Sequence, residues 1–458
     1  MSRQWYYVAI AIIFISLLIR QPLLFLVGLL VLLILLATAI WIRYCLHDLR
    51  YTREFSQQRA LFGEEITLSI SLENAKMLPL PWVEIEDTVP RSLRFSGRNL
   101  RVNMSTNSVL LESLFSLRWY ERVTRRYTVQ CLARGVHTFG PTRLRSGDVF
   151  GFQTREESLS NRQFLLVYPM VVPLTSFGLP ARHPFGDQRT PRRLLEDPSR
   201  VVGVRDYAYG DELRRIHWKA TARAMQLQSK VYQPTTTYTL VLFLNVLANI
   251  DIYYGIHPEW QELAICAAAS VANWAIDQGF AVGLYANTRM YMPELSMKTS
   301  SGHEEDEDEA GKVDAIIADQ LKRRRIHLPP ASNEEQRKRI MEVLARIHAY
   351  FGSSIEELLQ RERTRLPAGS TVVLVTSTIS DQLLDSLARM RQSGHTVAIL
   401  FIGDTPAPKL PTIPVYHIGG EDTWKQLLAQ YATERGIEQP ESGEQAVERL
   451  LIPAGFRL

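Results

Sequence analysis

The chain opens on two apolar runs. Residues 4–19 are apolar apart from Gln4 and Ser16, with Trp5, Tyr6 and Tyr7 clustered at one end. Arg20-Gln21-Pro22 breaks the run, and residues 23–42 continue without a charge. As a helix, a run of that length spans about 30 Å, the hydrocarbon thickness of a bilayer. The pair predicts a transmembrane helical hairpin over residues 1–45, with Trp5 and Trp41 as interface anchors. Ala37-Thr38-Ala39 resembles a signal-peptide cleavage site, but it follows Pro-broken runs far too long for an ordinary apolar core of a signal. Arg3 lies before the first run, Arg20 alone in the turn, and Arg43, Arg50 and Arg53 after the second. That bias puts both ends of the hairpin inside and the soluble part in the cytoplasm.

Beyond the hairpin the period changes to two. Ile66, Leu68, Ile70 and Leu72 alternate with Thr67, Ser69 and Ser71, the pattern of an antiparallel strand with one wet face. Further strand-like runs follow at Trp82–Glu86, Val109–Trp119, Arg126–Leu132 and Phe164–Val172, spaced by turns. Residues 46–175 are therefore expected to form a β-sandwich. Residues 176–204 are rich in Pro, Gly and Arg without periodicity and predict an arm lying over the surface. With the motif that follows, they make a basic linker over 176–233.

From Thr237 the texture is α/β. Strands are expected at Tyr238–Val246, Phe280–Tyr285, Thr371–Thr376 and Thr396–Ile402. Helices are expected at Pro258–Asp277, Asn333–Arg361, Ser380–Gln392 and Glu421–Tyr431, with a short one at Glu444–Leu451. Strands alternating with helices predict a parallel sheet covered on both faces over 234–458. It is interrupted at 287–330 by an insertion holding the acidic run Glu304–Glu309.

Composition changes little. The 458 residues carry a formal net charge of +4, too mild to demand or exclude nucleic acid. Three scattered cysteines, Cys45, Cys131 and Cys266, make no disulfide framework and suit a reducing compartment. No phosphate-binding loop, His-Glu-x-x-His or Gly-x-Ser-x-Gly motif is present.

The densest chemical signal is Arg205–Arg223. Gly210-Asp211 reads as a turn and N-cap opening a helix. Leu213, Ile216 and Ala220 would form its apolar stripe, Arg215, Lys219 and Arg223 a basic one, and Arg214 would stack on Trp218. Three uses compete. The segment is a clip holding the sandwich to the α/β domain, a basic face for a partner, anion or nucleic acid, or an enzyme site around Asp211, Arg214 and His217.

The same residues carry a family resemblance. Arg205, Tyr207, Gly210, Asp211, Arg214, Ile216, Trp218, Thr221, Ala222 and Arg223 match every fixed position of a signature of bacterial membrane proteins grouped as domain of unknown function fifty-eight. Arg134–Pro141 and Ser146–Gly151 are similar to further stretches of that family, with Val149 where a proline is usual. By themselves both stretches read as turns. The resemblance implies a membrane hairpin, a β-sandwich, and a C-terminal domain similar to von Willebrand factor type A, a Rossmann-like α/β fold. It also implies a MoxR-type AAA+ ATPase as partner, with transglutaminase-like membrane proteins as neighbours, at the bacterial inner membrane as a multi-pass protein. Metal-binding von Willebrand A domains carry Asp-x-Ser-x-Ser after their first strand; the matching positions here are Asn245, Leu247 and Asn249. A neutral amide and an aliphatic chain replace hard oxygen ligands, so no metal or cofactor is expected. The reading is a membrane-anchored, non-enzymatic interaction protein.

Overall fold

The structure is a computed structural model. It describes residues 4–95, 101–103, 108–148, 153–180, 184–185, 196–234, 238–246, 250–251, 255–294, 325–348 and 353–435. The Glu304–Glu309 run, most of the 287–330 insertion and the expected helix at Glu444–Leu451 lie outside the described residues.

Two helices open the chain, α1 (Gln4–Ile19) and α2 (Pro22–Tyr44). They pack together where Gly28 of α2 meets Ile12 and Ile13 of α1, because a Cβ at Gly28 would lie 2.8 Å from the Ile13 side chain. Among the described residues only α2 is long and apolar enough to cross a membrane. The apolar part of α1, Tyr7–Ile19, falls short of the roughly 20 residues a span requires. The expected pair of spans thus reduces to one candidate span with a shorter apolar helix against it. Trp41, expected to sit among headgroups, packs against the sandwich core instead.

The sandwich has a four-stranded sheet ordered β1 (Leu49–Phe55), β3 (Glu65–Asn74), β8 (Arg122–Gln130) and β5 (Arg94–Phe95). Opposite lies a five-stranded sheet, β11 (Thr154–Leu159), β10 (Thr142–Gly147), β4 (Leu80–Val89), β7 (Ser108–Leu117) and β6 (Arg101–Asn103). A third sheet joins β2 (Arg59–Ala60), β12 (Gln163–Val167) and β9 (Gly135–Phe139). Ile66, Leu68, Ile70 and Leu72 face the core as their alternation requires. The stretch 134–141 corrects the expectation of a turn, since β9 occupies most of it; in 146–151, Ser146 and Gly147 end β10, and residues 149–151 lie outside the described residues. Gly147 is there for close approach, since a Cβ would stand 2.3 Å from the Gln153 carbonyl oxygen. One ion pair is buried in this core, Arg53 to Asp87 at 2.6 Å with both side chains inaccessible. Tyr51 and Thr142 donate to the same carboxylate, at 2.8 and 3.0 Å, and Arg53 also reaches the carbonyls of Phe139 and Asn161. That satisfaction is what makes a buried charge tolerable.

Residues 196–234 form a two-stranded ribbon, β13 (Glu196–Asp206) and β14 (Gln228–Pro234), with the helix α3 (Trp218–Ala224) between them. A short β16–β17 pair (Ile250–Asp251 and Gly255–Ile256) lies beyond the first strand of the α/β domain, β15 (Thr239–Leu244). That domain continues with α4 (Pro258–Asp277), β18 (Ala281–Ala286), β19 (Ile326–Ala331), α5 (Glu334–Ala345), α6 (Ile355–Glu362), β20 (Thr371–Thr376), α7 (Asp381–Gln392), β21 (Thr396–Ile402), β22 (Val415–Gly419) and α8 (Glu421–Glu434). Its sheet runs β19-β18-β15-β20-β21-β22, parallel except for β19. Leu240, Leu242 and Leu244 face α4, α5 and α8; Val241 and Phe243 face α6 and α7. Both faces are covered, which is why the strand reads as a continuous apolar run. The expected single helix over Asn333–Arg361 is two helices, the second restarted by Ser354, whose hydroxyl accepts from the Glu357 N–H.

The sandwich and the α/β domain share a packed boundary. Phe177, Leu179 and Phe185, placed in the surface arm by the sequence, are buried in the α/β core together with Met170 and Leu174. Tyr431 of α8 donates to the Phe62 carbonyl at 2.7 Å, and Gly63 leaves the room for that ring. Val136 and Leu166 pack on Ala345. The strongest tie is Arg134. One guanidinium nitrogen donates to the carbonyls of Leu344, Ala345 and Ile347 at the end of α5, and the other reaches Glu262 of α4 at 2.8 Å. It thereby satisfies carbonyls that a helix end leaves unpaired.

Arg134→Ala should strip these carbonyls and leave the partly buried Glu262 without its cation, costing roughly 1–3 kcal/mol. Hydrogen exchange should then rise together in β9 and at the end of α5, and unchanged protection at both would contradict this role. His137 lies beside this joint, and burial pushes its pKa down to about 4. His348 shifts the same way through burial, with Arg134 adding to it. Below the ordinary histidine range the unfolded chain takes up protons that the folded one refuses. Stability complete above pH 6.5 should therefore fall toward pH 4 by about 1.4 kcal/mol per unit for His137. Denaturation at about pH 7 and about pH 5 should show this slope, and His137→Gln should remove its share.

Candidate functional site

The signature residues gather on the β13–β14 ribbon and the loop that crosses its end. Tyr207 continues from β13, its N–H donating to the Leu227 carbonyl at 2.9 Å. The chain then turns through Ala208–Asp211, where Gly210 has a φ of 106°, a conformation glycine alone adopts freely. Asp211 closes that turn by accepting from the Ala208 N–H at 3.1 Å and from Arg205 at 2.6 Å. These two donors, backbone first, hold its carboxyl below the usual carboxylate range. The Tyr207 hydroxyl donates to the Asp211 carbonyl.

The expected helix starting at Asp211 is corrected. Leu213–Arg215 is a single 3₁₀ turn, Ile216 is extended and pairs with Ser229, and α3 begins only at Trp218. Burial of Ile216 against β14 pulls the backbone out of the helix. The helix cap is His217, whose Nδ1 accepts from the Ala220 N–H at 3.1 Å. Thr221 Oγ1 accepts from the Gln228 N–H at 3.0 Å and locks α3 to the second strand. The left-handed Met225 ends the helix.

The motif thus divides by physical role. Arg205, Tyr207, Gly210, Asp211, Ile216 and Thr221 hold the loop together. Arg214, Trp218, Ala222 and Arg223 are exposed on it, Trp218 at 68%. Tyr209, Leu213 and Met225 stand in solvent beside Trp218. The hydrogen bonds described above tie the ribbon to itself, whereas the joint between the large domains runs through Arg134. None of these hydrogen bonds joins Arg205–Arg223 to the sandwich or the α/β domain, so they lend the clip reading no support. A shallow depression beside α3 is lined by His217, Lys219, Ala220, Arg223 and Ala224. Asp211 and Arg214 lie outside that lining, so this depression does not bring Asp211, Arg214 and His217 together.

Asn245, expected to match the first position of a metal motif, lies at the C-terminal end of β15, beside β20, where the strand order reverses and α/β folds hold ligands. Asn245 is buried there, donating to Thr376 Oγ1 at 3.1 Å and accepting from Asn287 at 2.8 Å. Asn287 in turn accepts from the Val246 N–H. These neutral groups are spent on one another. Leu247 and Asn249 lie outside the described residues, and among the described residues no group of three or more His, Cys, Asp or Glu side chains could hold a metal.

A family profile described as "Protein of unknown function DUF58" matches residues 203–435, just over half of the chain. An uncharacterized protein of Bacillus subtilis, YeaD, is 24% identical over 243 residues, 53% of this chain and 56% of the relative. The chain thus spans little more than half the length of that curated relative. Similar solved structures include a cohesin module of a Clostridium perfringens glycoside hydrolase (TM-score 0.20, 6% identity, 26% of this chain and 96% of that one). A type II cohesin domain from Acetivibrio cellulolyticus scores 0.19 at 12% identity, over 26% of this chain and 95% of that one. Likenesses this distant carry no argument about function.

Asp211→Ala should free the Ala208 N–H and Arg205 and loosen the turn. The expected result is faster hydrogen exchange confined to the loop and the first residues of β14, with β3 and β15 unchanged. Loss of protection across the whole chain would instead make Asp211 a global element.

Proposed function

The chain belongs to the DUF58 family of proteins of unknown function, and on that premise we propose that it is a membrane-anchored interaction protein. α2 serves as its bilayer anchor at the bacterial inner membrane, with α1 as the companion of a hairpin and the soluble domains in the cytoplasm. The ribbon presents the signature to a partner. One observation carries this reading: residues of a single motif build a self-supporting loop, and the remainder, Trp218, Arg214 and Arg223, stand in solvent on it. Exposed tryptophan and arginine are the side chains that dominate protein interfaces.

The α/β domain is taken as von Willebrand factor A-like. Counted within the domain, its strand order is 3-2-1-4-5-6 with an antiparallel third strand, which supports that reading. Its neutral Asn245–Asn287 network points to partner contact without a bound metal. The partner proposed from family resemblance is a MoxR-type AAA+ ATPase, acting with this chain in assembly or maturation of other proteins. A second reading, anion or nucleic-acid binding, is favoured by Lys219 and Arg223 around the depression beside α3.

The test is direct binding of the purified chain to a MoxR-type AAA+ ATPase encoded beside it. Trp218→Ala should weaken that binding by roughly 2 kcal/mol or more, the loss typical of an interface anchor. Binding indifferent to Trp218, Arg214 and Arg223 would refute the assignment of the ribbon. Uptake of nucleic acid that falls steeply with salt would favour the second reading.

A further inference from the structure

Helix α2 does not end in a linker; it runs into the sandwich. Cys45 and Leu46 are buried in the sandwich core, and Trp41 packs against it. Lys76, in the β3–β4 turn, donates to the carbonyls of Cys45 (2.8 Å) and His47. Ala75 donates to the Asp48 carbonyl, Tyr120 to the Lys76 carbonyl, and Arg155 to the Arg43 carbonyl. The end of the sandwich that carries the 75–79 and 118–121 turns is therefore bonded to the residues that directly follow α2, Cys45, His47 and Asp48.

That end displays what a stable soluble tip avoids. Met77 is 74% exposed, Trp119 64% and Tyr120 67%. Tyr120 has a φ of 52°, a left-handed conformation that favours glycine or asparagine over a bulky ring. The turn thus accepts strain and keeps two aromatic rings in water. The cations Arg43, Lys76, Arg118 and Arg155 surround it. The nearby acids are engaged: Glu121 accepts from the Arg118 N–H, Glu73 pairs with Arg122, and Asp48 contacts His47. Aromatic rings, one flexible thioether and a basic rim form the composition that settles at a headgroup layer.

We infer that this tip is a second membrane contact: Met77, Trp119 and Tyr120 enter the interfacial layer of the bilayer that α2 enters. The inference rests on α2 being the anchor. Because the tip and the helix end are bonded together, the contact fixes the tilt of the sandwich on the membrane. The occupant is a lipid interface, and the continuity with α2 is what selects it over a protein.

The full chain in nanodiscs of mixed zwitterionic and anionic lipid tests this. The native cysteines are buried, so an environment-sensitive fluorophore on Trp119→Cys, or on Met77→Cys as the second site, reports the tip alone. Gln392→Cys on α7 serves as the reference. Lipids brominated near the headgroup should quench the two tip labels and leave the reference unquenched, with several-fold protection of the tip from an aqueous quencher. Tip labels as accessible to water as the reference, in chains that remain with the nanodiscs, would overturn the inference. Protection from water without quenching by brominated lipid would also overturn it, since a protein then covers the tip. Chains that leave the nanodiscs in alkaline wash would remove the anchoring reading itself, and the tip contact with it.

Discussion

The arrangement of the molecule depends on one guanidinium. Arg134 stands at the start of β9 and spends its fork on the carbonyls that end α5 and on Glu262 of α4. A helix end must have its carbonyls satisfied, and here the donor comes from another domain. The apolar contacts beside it, Val136 and Leu166 on Ala345, carry no direction of their own. The fork gives that surface a register. The buried Arg53–Asp87 pair does the same inside the sandwich, fixing β1 against β4 and the loop at Asn161.

How much of this was legible depends on the distance over which each interaction acts. The alternation in β3 and the solid apolar run of β15 were readable, because period and burial are set by the strand itself. The break between α5 and α6 was hidden within a pattern that stays helical on both sides, and only the Ser354 cap marks the restart. β19 was missed because it is a short edge strand carrying Pro329 and Pro330. The role of Arg134 could not be read at all. Its acceptors are backbone carbonyls more than two hundred positions along the chain, and no side-chain pattern encodes them.

The signature motif shows the same limit at closer range. Leu213, Ile216 and Ala220 do fall at helical spacing, yet Ile216 pairs with Ser229 and opens the backbone before α3 begins. Spacing identified the residues that matter and misassigned the element they build. What the motif encodes is a closed turn, Arg205 to Asp211 to Ala208, followed by a capped short helix carrying an outward tryptophan. Half of it is instructions for folding, and the remainder is what the fold displays.

The pair Pro329-Pro330 has a consequence of its own. β19 is the outer strand of the six-stranded sheet, and because successive amides point to opposite sides, its adjacent prolines remove one donor from the row that an incoming strand would need. Recruitment of another chain by extending the sheet is disfavoured along that border.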